Sequence, residues 1–389
     1  MISTLKFPQL SYTGWGAMEN LAPELIKRNV TSILIVTDPV LIQLGMIDKM
    51  IASLDVKFRI KLYSDVEPEP SLECAQKLID FARNGSFDCV IGIGGGSTLD
   101  LAKLTAVVYT NDGDVKDYLN LTGTRVLKHK GIPKILIPTT SGTGSEVTDI
   151  SVLSLEHTKD VITHEYLIAD VAIVDPELTL TLPSRVTAAT GVDALTHAIE
   201  SFLSVNANVA TDALAIKAIE LLANSLRSAV HQGDDKKART DMSYGSYLAG
   251  LSFFNAGVGG VHALAYPLGS QFGIPHGEAN AVLLPYVIPY ISSKVPQKMI
   301  EIRKLINKEE DHEDTPLYYY KLLKKLISDV QLPTSIKEYG VQLDDLSKLT
   351  EDATKQTRLL ARSPMPLLKN DIYQIYQMAY EGKFSIDEI

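Results

Sequence analysis

The stretch DCVIGIGGGSTLDLAKLTAVVY, residues 88 to 109, decides how the first half of the chain folds. It opens with a short apolar run rich in Val and Ile, which is the length and composition of a buried strand. Gly94, Gly95 and Gly96 interrupt the run, and apolar residues resume after them at helical spacing. A strand that turns through glycines into a helix is the first half of a βαβ unit. Glycines let a backbone approach a phosphate closely, and a helix N-terminus presents free N–H groups and a positive dipole end. Ser97 and Asp100 have the S-x-x-D spacing that predicts a helix cap at Ser97. The pattern is not G-x-G-x-x-G, so the usual dinucleotide fingerprint is absent, and a plain tight turn is the competing reading.

Working outward, the same rhythm repeats. SILIVTD (32–38), KFRIKLYS (57–64), KILIPTT (134–140) and VAIVDP (171–176) read as strands, while ENLAPELIKRN (19–29) and SLECAQKLIDFARNG (71–85) read as helices. Alternation of this kind predicts a parallel sheet covered by helices on both faces. After Pro183 the strand pattern stops. SRVTAATGVDALTHAIESFLS, TDALAIKAIELLANSLRSAV, ARTDMSYGSYLAGLSF and TPLYYYKLLKKLISDV all have helical period. The expectation is an α/β domain over residues 1–182, followed by an all-helical domain over 183–389. A second loop, PTTSGTGSEVTD (138–149), follows a strand and is dense in hydroxyls and glycines, which suits hydrogen bonds to a pyrophosphate or ribose.

Composition narrows the function. The 389 residues are 45% hydrophobic and 22% charged, with a net charge of −10. An acidic chain whose only basic cluster is KHK at 128–130 does not predict a nucleic-acid partner. The N-terminus lacks the apolar core of a signal peptide, and NAVLLPYVIPYI (280–291) is cut by Pro285 and Pro289, so no membrane span is expected. Cys74 and Cys89 are isolated, which predicts neither a disulfide framework nor a CxxC site. A cytoplasmic protein is expected.

The histidines sort by neighbourhood. His129, His157, His164, His231 and His312 have polar surroundings and read as surface residues. His197, His262 and His276 lie in apolar or glycine-rich runs: DALTHAIE, GGVHALAYPLG and GIPHGEANAVLLP. Asp193 precedes His197 by one helical turn, so the two share a face. A buried acid and three buried histidines suit a divalent transition ion, Fe2+ or Zn2+; satisfied core histidines are the competing reading.

The residues that carry these features also resemble a known family, the iron-containing (group III) alcohol dehydrogenases. The resemblance rests on GGGSTLD (94–100), PTTSGTGSEVT (138–148), VDPEL (174–178), TGVDALTHAIE (190–200) and NAGVGGVHALAYPLGSQFGIPHGEANAVLLP (255–285), and covers nearly the whole chain. It implies an N-terminal nucleotide-binding α/β domain and a C-terminal helical domain of the dehydroquinate synthase-like fold. It implies that Asp193, His197, His262 and His276 ligate the metal. Gly95, Gly96, Ser97, Asp100, Thr139, Thr140, Thr143, Thr148 and Lys159 are implied to contact NAD(P). Asp38 is implied to face the adenosine ribose, where a carboxylate repels a 2′-phosphate and favours NAD over NADP. Glu200 is expected behind the ligands or in a structural role.

The chain departs from the family at one place: many members have a second histidine four residues after the third metal ligand, and here that residue is Tyr266. The implied activity is hydride transfer between NAD and a small primary alcohol or aldehyde, with the ion acting on the substrate oxygen as a Lewis acid. A polyol oxidoreductase resembling glycerol dehydrogenase, and an NAD- and metal-using lyase of the same fold, are the alternatives. SFFNAGVGG (252–260) places Phe253 or Phe254 as a limit on substrate size, with core packing as the competing role. A homodimer or higher homo-oligomer is expected from the resemblance.

Overall fold

The computed structural model describes residues 4–54, 57–155, 159–307 and 313–385. His157 and His312 lie outside the described residues. Contacts divide the chain into two compact units. One is Phe7–Thr140 with Gly144–Thr179; the other is Leu180–Ile389 with Ser141–Thr143 and Met1–Lys6.

The first unit is built on a parallel sheet. Its strands are β1 (Ser11–Thr13), β2 (Ser32–Val36), β3 (Arg59–Tyr63), β4 (Cys89–Gly94) and β5 (Lys134–Pro138), and a later strand, Val171–Val174, completes it. Between them in the chain, β6 (Ile150–Ser154) and β7 (Lys159–Thr163) pair as an antiparallel hairpin, so the completing strand is β8. The order in the six-stranded sheet is β1-β8-β5-β4-β2-β3. The helices of this unit are α1 (Leu21–Lys27), α2 (Pro39–Gln43), α3 (Met46–Ser53), α4 (Leu72–Arg83) and α5 (Gly96–Val108).

Central strands are buried on both faces, which is why they read as continuous apolar runs. The two-residue period still assigns each side chain to a face. Leu34, Val36, Val90 and Leu136 enter one core with α4 and α5. Ile33, Ile35, Ile91, Ile93, Ile135 and Ile137 enter the other with α1 and α3. From β2 the chain steps outward to β3, then returns to the far side of β2 as β4. The strand order therefore reverses between β2 and β4, and in such sheets ligands bind beyond the carboxyl ends of the strands at that reversal. Asp38 follows β2 and the three glycines close β4 and lead into α5, so both flank the reversal point.

The expected cap at Ser97 is not what forms. Helix α5 begins at Gly96, its N-cap is Gly95, and no side chain caps it. Gly94 is the reason: its φ of 157° is a conformation that suits glycine, and a Cβ there would lie 2.7 Å from Thr98. The turn closes before Ser97, which leaves Ser97 and Asp100 inside the first turns of the helix with their side chains engaged elsewhere.

The second unit has no strand among its described residues, and its α-helices are α6 (Ser184–Leu203), α7 (Val209–His231), α8 (Lys236–Ala256), α9 (Gly260–Phe272), α10 (His276–Ile291), α11 (Pro296–Ile306), α12 (Pro316–Asp329), α13 (Leu346–Thr354), α14 (Thr357–Leu360) and α15 (Lys369–Glu381). Pro285 and Pro289 do not stop α10, which runs through both as a buried helix. Among the described residues no single helix is long and apolar enough to cross a membrane; α8 and α9 pass only as a pair, bent by 104°. His129 and His231 are exposed, and His164 is partly so.

Candidate metal centre and cofactor loops

Three helices bring the acid and the histidines together. Asp193 and His197 stand one turn apart on α6, His262 sits in the first turn of α9, and His276 opens α10. One ligand atom from each of the four lies within 4.8 Å of all the others. Gly277 makes the approach of α10 possible, since a Cβ there would lie 2.4 Å from the Ala189 carbonyl oxygen on α6. Arg185 then fastens the two helix starts, donating from Nε and Nη2 to both oxygens of Glu278 at 2.7 and 2.8 Å.

Hydrogen bonds behind the rings decide which nitrogen faces the centre. Nδ1 of His262 donates to Glu200 Oε2 at 2.5 Å, and Glu200 Oε1 accepts from the Val261 backbone N–H at 2.6 Å. Nδ1 of His197 faces the Gly142 carbonyl oxygen at 3.3 Å. Holding the proton on Nδ1 leaves each Nε2 with its lone pair, the form in which imidazole binds a metal. The rings of His197 and His262 stack at 4.7 Å, with Phe253 on the other face of His197 at 4.2 Å. Burial pushes the His197 pKa down to about 4, although Asp193 opposes this, so the ring is neutral at physiological pH. Burial also works to raise the Asp193 carboxyl, but the three imidazoles and the Asn280 amide outweigh it, and the carboxylate is held below its ordinary range.

Asn280 supplies the test of fit for a cation. It lies one turn after His276, and its Nδ2 donates to Asp193 Oδ1 at 2.7 Å while lying 3.2 Å from Nε2 of both His262 and His276. A positively polarised group thus sits where three lone pairs converge, and Asn280 Oδ1 is buried without a partner. Lone pairs from one carboxylate and three imidazoles converging on one point suit Fe2+ or Zn2+. Tyr266, one turn after His262, places its ring 5.8 Å from that of His276.

Of the expected cofactor residues, Asp38 lies past the carboxyl end of β2, Gly95, Gly96 and Ser97 past that of β4, and Thr139 and Thr140 past that of β5, while Lys159 opens β7. Asp38 caps α2, with Oδ1 accepting from the backbone N–H groups of Val40 and Leu41 at 3.0 and 3.1 Å. Beside it Thr37 Oγ1 is buried without a partner. Thr139 donates its backbone N–H to Gly94 O at 3.0 Å, joining the two loops. Gly95 lies against Thr140, at 3.7 Å from the place where a Cβ would stand. Ser97 Oγ accepts from the Glu69 N–H at 3.1 Å, and Glu69 pairs with Lys159 at 2.8 Å. Asp100 and Thr148 turn inward to Lys103 and Ser145 rather than outward. Thr143 belongs to the short segment that associates with the helical unit. Sequence reasoning passed over Asn280 and Lys103; their spacings, four residues after His276 and three after Asp100, were the available signals.

Comparison with known proteins agrees with this geometry. Residues 8–176 match the signature of the iron-containing alcohol dehydrogenases, and residues 187–380 match the C-terminal signature of the Fe-containing alcohol dehydrogenase family. The chain belongs to the iron-containing alcohol dehydrogenase family, whose members interconvert alcohols and aldehydes. It is 55% identical over 385 residues to long-chain-alcohol dehydrogenase 1 of Geobacillus thermodenitrificans, covering 98% of each chain. A solved 1,3-propanediol oxidoreductase superposes with a TM-score of 0.92 at 32% identity, over 98% of this chain and 100% of the other. The sulfoacetaldehyde reductase of Bifidobacterium kashiwanohense, solved with NAD+, superposes with a TM-score of 0.89 at 26% identity, over 97% and 99%.

Proposed function

We propose that this chain is an NAD-linked dehydrogenase of primary alcohols, and reductase of the matching aldehydes, with Fe2+ or Zn2+ held by Asp193, His197, His262 and His276. The observation that carries the reading is the convergence of those four donors within 4.8 Å. When bound, the ion supplies Lewis acidity to the substrate oxygen.

The chain's own residues do the rest. Glu200 and the Gly142 carbonyl hold two imidazoles in the ligating tautomer, and Asn280 steadies the Asp193 carboxylate. In this reading the phenol of Tyr266 hydrogen-bonds the substrate oxygen or a water beside it, which its ring 5.8 Å from that of His276 supports. In the oxidative direction the carbinol carbon gives a hydride to NAD+ and the hydroxyl gives up its proton, leaving aldehyde, NADH and H+.

Gly95, Gly96, Ser97, Thr139, Thr140 and Lys159 form the cofactor site, with Asp38 turned to the ribose. The strand reversal between β2 and β4 and the unpartnered Thr37 hydroxyl support that placement. The solved relative with NAD+ supports the choice of cofactor. The name of the 55% identical relative extends the substrate range from small alcohols to long-chain ones. We also place the enzyme in the cytoplasm, which two buried free thiols support, and as a homodimer or larger homo-oligomer, which light scattering tests.

The deciding experiment reconstitutes the protein with Fe2+ or Zn2+ and follows NADH oxidation over aldehydes from acetaldehyde to hexadecanal. Turnover of one or more supports the reading. No NADH consumed with any of them, in fully metallated protein, refutes it.

A further inference from the structure

Lys103 is fully buried in the α/β unit. Its ammonium donates to the Ser145 carbonyl oxygen, Ser145 Oγ and Thr148 Oγ1, each at 3.0 Å, and lies 2.9 Å from Asp100 Oδ1. Asp100 is equally committed: Oδ1 also accepts from Ser145 Oγ, and Oδ2 accepts from the Val152 N–H at 2.9 Å. The hydroxyl of Ser151 donates to the Asp100 carbonyl oxygen at 3.1 Å. One charge-neutral node therefore ties the early turns of α5 to the loop at 144–148 and to β6.

Such a node costs desolvation that an apolar side chain of the same length avoids, so burial alone does not explain a lysine here. Its position does suggest a reason. Both segments that it joins follow strands whose carboxyl ends lead into the glycine turn and the hydroxyl-rich loop. Loops that are ordered before a ligand arrives spare the binding step the cost of ordering them.

We propose that Lys103 is a positioning residue for the cofactor: it locks the start of α5 and the 144–148 loop into one preformed cradle for the NAD phosphates. The proposal rests on the assignment of NAD to these loops. Asp100 and Thr148 then serve the cofactor through Lys103, as the frame of the cradle.

The test uses the full-length metallated protein and three measurements: NADH affinity by fluorescence, amide hydrogen exchange across residues 144–149, and bound metal. Lys103→Met should weaken NADH binding by about tenfold or more, which one lost hydrogen bond's worth of preorganisation supplies. Exchange across 144–149 should quicken, and metal content should stay at the wild-type level because the ligands lie in the other unit. Asp100→Asn with Lys103→Met removes both charges, avoids stranding a buried carboxylate if the single variant fails to fold, and carries the same expectation. NADH affinity within about twofold of wild type in a folded variant overturns the proposal while leaving the cofactor assignment standing. Parallel loss of metal and NADH overturns it too, since that marks general disruption. Failure of the wild type itself to bind NADH removes the cofactor assignment, and the proposal with it.

Discussion

Replacing Glu200 by Gln changes one buried atom and should loosen the metal. The carboxylate accepts twice, from His262 Nδ1 at 2.5 Å and from the Val261 N–H at 2.6 Å. A carboxamide of the same shape has one acceptor and one donor. If its oxygen faces His262, its NH2 meets the Val261 N–H, and a stranded buried donor costs about 1–3 kcal/mol of folding stability. If its oxygen faces Val261, its NH2 meets Nδ1, and His262 must move its proton to Nε2, where the lone pair is needed for the metal. Loss of such a supporting partner typically weakens metal binding by about 10–100-fold, or about 1.4–2.7 kcal/mol. Titrating metal-free protein with Zn2+ against a chromophoric chelator measures this directly, and melting curves with and without Zn2+ measure the folding cost. Zn2+ affinity within about twofold of wild type, with an unchanged melting temperature, would refute the reasoning.

Three further expectations test other parts of the account. Asp38→Asn keeps an N-cap for α2 but removes the charge proposed to face the ribose, so preference should shift toward NADPH by roughly ten- to hundredfold; an unmoved NADH/NADPH ratio takes Asp38 away from the ribose. Burial raises Glu146 from its ordinary 4.5 to about 7, against the weaker pull of its own backbone N–H and Lys103. Folding of the wild type should therefore lose on the order of 3 kcal/mol as pH rises from about 4.5 to 7. Glu146→Gln lacks that loss and should gain on the wild type across the same window; parallel stability curves in denaturant at each pH would count against it. Tyr266→Phe should raise KM for some aldehydes and leave metal content unchanged, whereas a kcat fall of ~10²–10⁴ would mark proton transfer by the phenol instead.

The parts of this structure that were legible in the sequence are those set by local pattern. β2, β4 and β5 are buried on both faces, so nothing polar interrupts their apolar runs. The metal ligands stood out because an acid and imidazoles inside apolar helices need a reason to be there. Less legible features depend on partners far away in sequence. β1 is three residues long and exists because it pairs with β8. β6 and β7 lie just past the hydroxyl-rich loop and are only five residues each, too short for their apolar residues to stand out. Helix α10 passes two prolines because its buried setting outweighs the local penalty. The Ser97–Asp100 spacing suggested a cap, yet Asp100 turns to Val152 and Ser145, some fifty residues on. Asn280 offered only its spacing of one turn from His276, and an asparagine in a helix becomes informative only when Asp193 and two histidines are found around it.

The central claim is that Asp193, His197, His262 and His276 together hold one catalytic ion, and metal analysis of His262→Ala beside the wild type tests it most directly. The wild type, loaded with Fe2+ or Zn2+ and freed of excess, should carry about one divalent ion per chain, as one four-donor set allows. The variant should carry little or none and lose alcohol-dependent NADH formation with it. A variant that keeps the wild-type complement of metal, or loses its metal and remains fully active, would contradict the account.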